Sequence, residues 1–168
     1  VVSLHGRQLA WSPSTSAKGV VAQAIPFPVV KDSIAFAGWL KQIKGKLVCI
    51  SMPQPTGRPD YNWKEFATEE SFEQMKSQRD AANKAWNENL TRTGYDRRTI
   101  NTALEQAGAA GLIQSQWSSA FGANKVFSAN TKKIPVIDLS LEDYGMVYRM
   151  AENGDKPVLK IVAQSKEL

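Results

Sequence analysis

Five short apolar runs, each cut off by proline, glycine or charge, leave this chain little choice of architecture. They are Gly19 to Ile25, Leu47 to Met52, Leu112 to Ser115, Lys133 to Leu139 and Pro157 to Gln164. All are shorter than an ordinary helix and rich in Val, Ile, Leu and Ala, as buried strands are. Between them lie stretches whose apolar residues recur at helical spacing. Strands and helices therefore interleave, which predicts an α/β fold.

Local punctuation sharpens the elements. Pro26-Phe27-Pro28 ends the first run, because proline cannot donate to a ladder. Ser33 to Ile43, carrying Ile34, Phe36, Ala37, Trp39 and Leu40, is a short element that leads into Lys44-Gly45-Lys46. Pro53, Pro55, Gly57 and Pro59 make a loop, after which Thr68 caps a long helix with apolar positions at Phe72, Met75, Ala82, Trp86 and Leu90. Arg79 interrupts that stripe, so the helix is expected to lie on the surface of a core. Tyr95 to Gly108 reads as a second helix with Ile100, Leu104 and Ala107 on one side. Pro135 falls near the start of its strand, an edge-compatible position. Ser140 and Asp143 cap a further helix with Leu141, Tyr144, Tyr148 and Ala151 on its apolar face, and Asn153-Gly154 closes it. In the last run Leu159, Ile161 and Ala163 share one wholly apolar face and should cover the core.

Residue types restrict the chemistry. A zinc site needs three or four convergent ligands, and the chain has one His and one Cys. Cys49 lies in an apolar run and is read as a buried core residue; His5 would need a Ser or Cys partner that the sequence does not mark. No phosphate loop, nucleophile elbow, dinucleotide fingerprint or His-Glu-x-x-His is present. Glu69/Glu70 and Glu142/Asp143 stand at helix starts, where they complement the dipole. No catalytic and no metal-binding residue is therefore expected.

The net charge of +5 raises the question of a polyanionic partner. Residues 53–100 carry eight basic and eight acidic side chains, and the tight clusters Lys41/Lys44/Lys46 and Lys132/Lys133 flank strands, where lysines act as gatekeepers. Nucleic acid is not expected. The most apolar stretch, Gly19 to Val30, is 12 residues long and broken by two prolines, whereas a membrane helix needs about 20, so no span is expected. The chain opens Val1-Val2 with no signal-peptide pattern and is expected to be a piece of something longer.

The order of parts is specific. A strand over 46–51, a helix ending Ala103-Leu-Glu-Gln-Ala-Gly108-Ala-Ala-Gly111, a strand over 112–115, a loop, Ile134-Pro-Val-Ile-Asp-Leu-Ser140, a helix and a final strand together resemble the protease-associated domain. The opening Ala10-Trp11-Ser12-Pro13-x-Thr15 with Gly19-Val20-Val21, and Ile43-Lys-Gly-Lys-Leu-Val48, resemble the version that interrupts zinc-dependent aminopeptidases of the glutamate carboxypeptidase-like family. The resemblance implies a swivelling β/β/α fold, a mixed sheet or open barrel with flanking helices. It implies one domain over residues 1–168, with a charged, mostly helical insertion at about 53–94 that is longer than the segment usual there. The implied function is noncatalytic: guiding substrate access or mediating protein contacts beside an active site. Zinc and catalytic carboxylate would belong to a separate peptidase domain of the same parent chain, which with a peptide or protein substrate is the expected partner. The family's parent enzymes are secreted or in the cell envelope.

The shared motifs are packing devices. Gly108 and Gly111 allow the helix end to approach the next strand closely. Contact residues are instead expected in the aromatic loop, at Trp117 and Phe121, and on the long helix at Trp86, whose stripe with Phe72 and Met75 is a candidate docking face for the peptidase domain. Two other readings are a hydrolase using His5 with Cys49 or a Ser, and a basic anion-binding module. Asn89-Leu-Thr91 matches the glycosylation sequon, to which no role is assigned.

Overall fold

In the computed structural model, which describes residues 1–121 and 124–165, four of the five apolar runs become the centre of one six-stranded mixed sheet and the last becomes an edge. The chain order is β1 (Gly6–Gln8), β2 (Val20–Pro26), α1 (Ser33–Leu40), β3 (Leu47–Cys49), α2 (Asp60–Phe66), α3 (Glu69–Arg92), α4 (Ile100–Gln106), β4 (Gly111–Gln114), β5 (Val136–Leu139), α5 (Leu141–Glu152) and β6 (Val158–Ile161). Across the sheet the strands run β1-β5-β4-β3-β2-β6. The four inner strands are mutually parallel, and each edge strand is antiparallel to its neighbour.

Parallel neighbours need crossover connections: α1 carries β2 to β3, α2 to α4 carry β3 to β4, and residues 115–135 carry β4 to β5 with no helix among those described, while α5 leads from β5 to the far edge. Val48, Leu112 and Val136 point to one face, where Phe36, Ile100 and Leu104 cover them. Leu47, Cys49, Ile113, Ile137 and Leu139 point to the other, against Tyr144, Val147 and Tyr148 of α5. Burial on both sides explains why these runs are continuously apolar instead of alternating. In edge strand β6 the alternation returns: Leu159 and Ile161 pack inward while Val158 is exposed.

Helix starts follow their caps. Thr68 accepts a hydrogen bond from Ser71 N at the head of α3, and Ser140 accepts one from Asp143 N at the head of α5. α3 does lie on the core, but its stripe faces inward: Met75 is buried, and the Trp86 ring packs 5.7 Å from Phe27, so those two residues already face the chain's own interior. Asn89 reinforces this seat, its Oδ1 accepting from Val30 N at 2.9 Å and its Nδ2 donating to Pro28 O at 2.8 Å. The nitrogen that a glycan would need is buried and engaged. Arg79 breaks the apolar stripe because it too turns inward, pairing with Asp60 of α2 and lying over the Trp117 ring.

Pro135 stands just ahead of Val136, the first residue paired to β4, so it is accommodated at the start of an interior strand. Two elements differ from the sequence reading. α4 begins at Ile100 instead of Tyr95, because Asp96 Oδ1 accepts from Arg98 N and Thr99 N and fixes a turn there. α2 occupies residues that follow the Pro and Gly loop, with Pro59 at its N-cap.

Helix α5 is pinned to the exit of β3. Tyr144, fully buried, donates its hydroxyl proton to Ser51 O at 2.6 Å and accepts from Ser51 N at 2.9 Å. Ser51 Oγ in turn accepts from Ser115 N at 3.1 Å, tying the exits of β3 and β4 together. Tyr144→Phe strands the Ser51 amide and carbonyl, and should cost about 1–3 kcal/mol in a denaturant titration. A loss below a few tenths of a kcal/mol would show that this peg carries no stability.

Candidate functional site

Beyond the carboxyl ends of β3 and β4 the chain diverges, β3 into the 51–59 loop and β4 into the aromatic loop. A cleft of about 490 Å3 opens between them, walled by α3 and the start of α4. Open α/β sheets commonly place ligands outside these strand ends, where loops of free sequence sit on a rigid frame. Two of the three contact residues expected from sequence, Trp86 and Trp117, line this cleft. Phe121 does not; it is 59% exposed and meets Tyr61 of α2 edge-on at 6.2 Å.

The aromatic loop is held by a buried carboxylate. Asp138, 4% exposed on β5, accepts from Gln116 N at 3.0 Å through Oδ1 and from Asn124 Nδ2 at 2.6 Å through Oδ2. Asn124 Nδ2 also reaches Leu139 O at 2.8 Å and Ser115 Oγ at 3.2 Å. Burial pushes the Asp138 carboxyl above its ordinary range, and these hydrogen bonds together with the nearby Arg7 charge pull it part of the way back. Gln114 stands opposite Asp138 in the parallel register, near enough for its amide to favour the charged carboxylate. Yet the geometry is poor: Gln114 Nε2 is buried and makes no well-formed hydrogen bond. Trp117 is held at its edge and over one face, its Nε1 donating to Ala120 O at 2.8 Å and the Arg79 guanidinium lying 5.3 Å from the ring centroid.

The cleft is one-signed. Arg97, Arg98 and Lys125 stand on its rim, and the described lining residues include no carboxylate. A larger, shallower hollow of about 920 Å3 beside α4 is different, because there Asp96 and Glu105 offset Arg98, Lys132 and Lys133. Its Glu105 is structural: Oε1 accepts from the backbone N–H groups of Lys132, Lys133 and Ile134 at 2.9, 2.6 and 3.1 Å, fixing the approach to β5. Sequence reasoning missed the cleft's cations because Arg97 and Arg98 stand in a segment of net zero charge. The adjacent pair itself was the available signal.

The residues considered for catalysis lie apart. Cys49 is fully buried in β3, and desolvation pushes its thiol up to about 12, so it stays protonated at neutral pH. His5 is exposed beside β1, three strands from Cys49 across the sheet, about 14 Å at the usual strand spacing. That nucleophile and base pair is not formed. Among the described residues no three His, Cys, Asp or Glu side chains gather as a metal-binding group, and no helix is long and apolar enough to cross a membrane.

These features define a mixed α/β domain with a parallel centre and a cationic cleft at its strand exits. Compared with known proteins, the chain matches no protein-family model and no curated protein. Among solved structures it is similar to a chain described as the crystal structure of a Peptidase M28 precursor from Shewanella amazonensis SB2B, with a TM-score of 0.48 and 17% sequence identity. The similarity covers 92% of this chain, which spans 29% of that one.

The turn that presents Arg97 and Arg98 depends on Asp96, which is fully exposed and whose carboxyl is held below its ordinary range by hydrogen bonds from the Thr99 hydroxyl and from the Thr99 and Arg98 amides. A depressed folded pKa gives stability that is present above the ordinary aspartate pKa and lost as pH falls through the lowered one. An NMR titration should therefore show the Asp96 carboxyl titrating below an unstructured aspartate, with the Arg98 and Thr99 amide shifts following it. Titration at or above the unstructured value would mean that the turn is not capped this way.

Proposed function

We propose that this chain is a noncatalytic protease-associated domain of a zinc metallopeptidase, guiding substrate access or mediating protein contacts beside the active site. The observation that carries this reading is how the motif residues meet. Gly111 opens β4 against Pro135: a Cβ there would come within 3.2 Å of the proline ring and carbonyl and 3.0 Å of Leu47. The two halves of the Ala-Gly-Ala-x-Gly and Ile-Pro-Val pattern are thus complementary surfaces, and Leu112 N donates to Pro135 O at 2.9 Å beside them.

The opening motif has matching tasks. Ser12 Oγ accepts from Val136 N at 2.8 Å, and Thr15 exchanges hydrogen bonds with Ala163, its N donating to Ala163 O at 2.7 Å and its Oγ1 accepting from Ala163 N at 3.0 Å. Gly19 has a φ of +78° and presses on the Ile161 carbonyl, where no side chain fits. Residues that carry the resemblance in sequence are those that join strands in space.

In this reading zinc and the catalytic carboxylate belong to a peptidase domain of the same parent chain, which is the first partner; the second is a peptide or protein substrate. The parent would act outside the cytoplasm, secreted or in the cell envelope. The test is a peptidase assay of the 168-residue chain with added zinc, over a panel of aminoacyl and peptide substrates, beside the longer parent chain. We expect an inert fragment and an active parent. Zinc-dependent turnover by the fragment alone overturns the reading.

A further inference from the structure

We infer that the cleft at the exits of β3 and β4 binds an acidic peptide segment, whose carboxylates are taken by Arg97, Arg98 and Lys125. This names the ligand chemistry of the proposed accessory domain and rests on that reading only in taking the ligand to be a peptide; the cation set stands without it.

Three observations converge. The first is charge: the three rim cations are exposed and share the cleft with no described carboxylate. Neither ion pair among the described residues, Arg79 with Asp60 or Arg92 with Glu88, involves them. Asp96 lies near Arg98 and offsets part of its charge, so three cations beside one carboxylate leave the rim net positive. A net positive rim raises the local concentration of anions, and guanidinium forks match carboxylates in a bidentate way.

The second is order. Arg97 Nη2 donates to Asn87 Oδ1 at 2.7 Å, which braces the guanidinium against α3, and Arg98 follows on the capped turn. A side chain already held loses less entropy on binding. The third is size. The volume of about 490 Å3 falls within the range of clefts that enclose a short ligand segment.

The aromatic residues select the polymer. Single-stranded nucleic acid needs open rings on which successive bases stack. Here Arg79 lies over Trp117, and Phe27 packs on Trp86, so each indole already has a partner. A peptide needs no such platform.

The test uses a fluorescein-labelled peptide in which four glutamates are spaced by serine and glycine, the same peptide with glutamine at those positions, and a labelled octathymidylate. Anisotropy is measured against the 168-residue chain. We expect saturable binding of the glutamate peptide, roughly tenfold or more tighter than the glutamine peptide, and weaker as salt rises. The exposed triple variant Arg97→Ala, Arg98→Ala, Lys125→Ala should lose about tenfold or more in affinity with an unchanged Tm, whereas Lys18→Ala, Lys41→Ala, Lys160→Ala, which removes the same charge elsewhere, should lose little. Equal affinity for the two peptides, equal loss in the two triple variants, tighter binding of the octathymidylate, or no saturable binding each overturns the inference. None of these outcomes touches the peptidase assay, so the two proposals fail separately.

Discussion

One buried tyrosine pins helix α5 to the place where β3 leaves the sheet. Tyr144 belongs to α5, which packs on one face of the sheet, and its hydroxyl meets both backbone polar groups of Ser51, just past the end of β3. A lone hydroxyl buried against apolar neighbours is costly, and a residue just past a strand end has lost its ladder partners. Each need meets the other. Because Ser51 Oγ also takes Ser115 N, the same contact sets how β3 and β4 separate, and the cleft opens where they do.

The segment from Pro53 to Gly94 has no counterpart in the sheet, yet it shapes the cleft from above. Its helix α3 is fastened at one end by Asn89, which satisfies Val30 N and Pro28 O, and in the middle by Arg79, which reaches Asp60 and the Trp117 ring together. From below, Asp138 grips the same aromatic loop through Gln116 and Asn124. The loop is therefore held between a carboxylate and a guanidinium that never meet. A segment that only decorated the surface would not need a cation 12% exposed in its middle.

Elements with strong local chemistry were legible in the sequence: the β-branched runs, the Thr68 and Ser140 caps, the helical period of α3. Those that depend on distant partners were not. β1 is three residues long and exists because β5 lies beside it; α2 follows a proline-rich loop and is stabilised by Arg79, 19 residues on. Pro135 suited an edge or the first position of a strand, and it stands just ahead of the first paired residue, where a proline is at ease even inside a sheet. For the site, aromatic type and loop context pointed to Trp117 and Trp86, while the cations went unseen because charge was averaged along the chain instead of over a surface. Arg97 and Arg98 belong by sequence to a neutral segment and by position to a positive rim.

Both outermost pairings join the beginning of the chain to its end: Gly6–Gln8 with Val136–Leu139 on one edge, Val20–Pro26 with Val158–Ile161 on the other. Closing such distant contacts is what slows folding. At a synthesis rate of about 5–20 residues per second, β2 waits on the order of ten seconds for β6 to be made. During that interval a nascent chain can assemble β2, β3 and β4 with their helices, but it exposes two unfinished rims. Making the last quarter of these 168 residues is thus the step that commits the fold, and a chain cut short before Val158 would carry nearly all of its core and still lack a border.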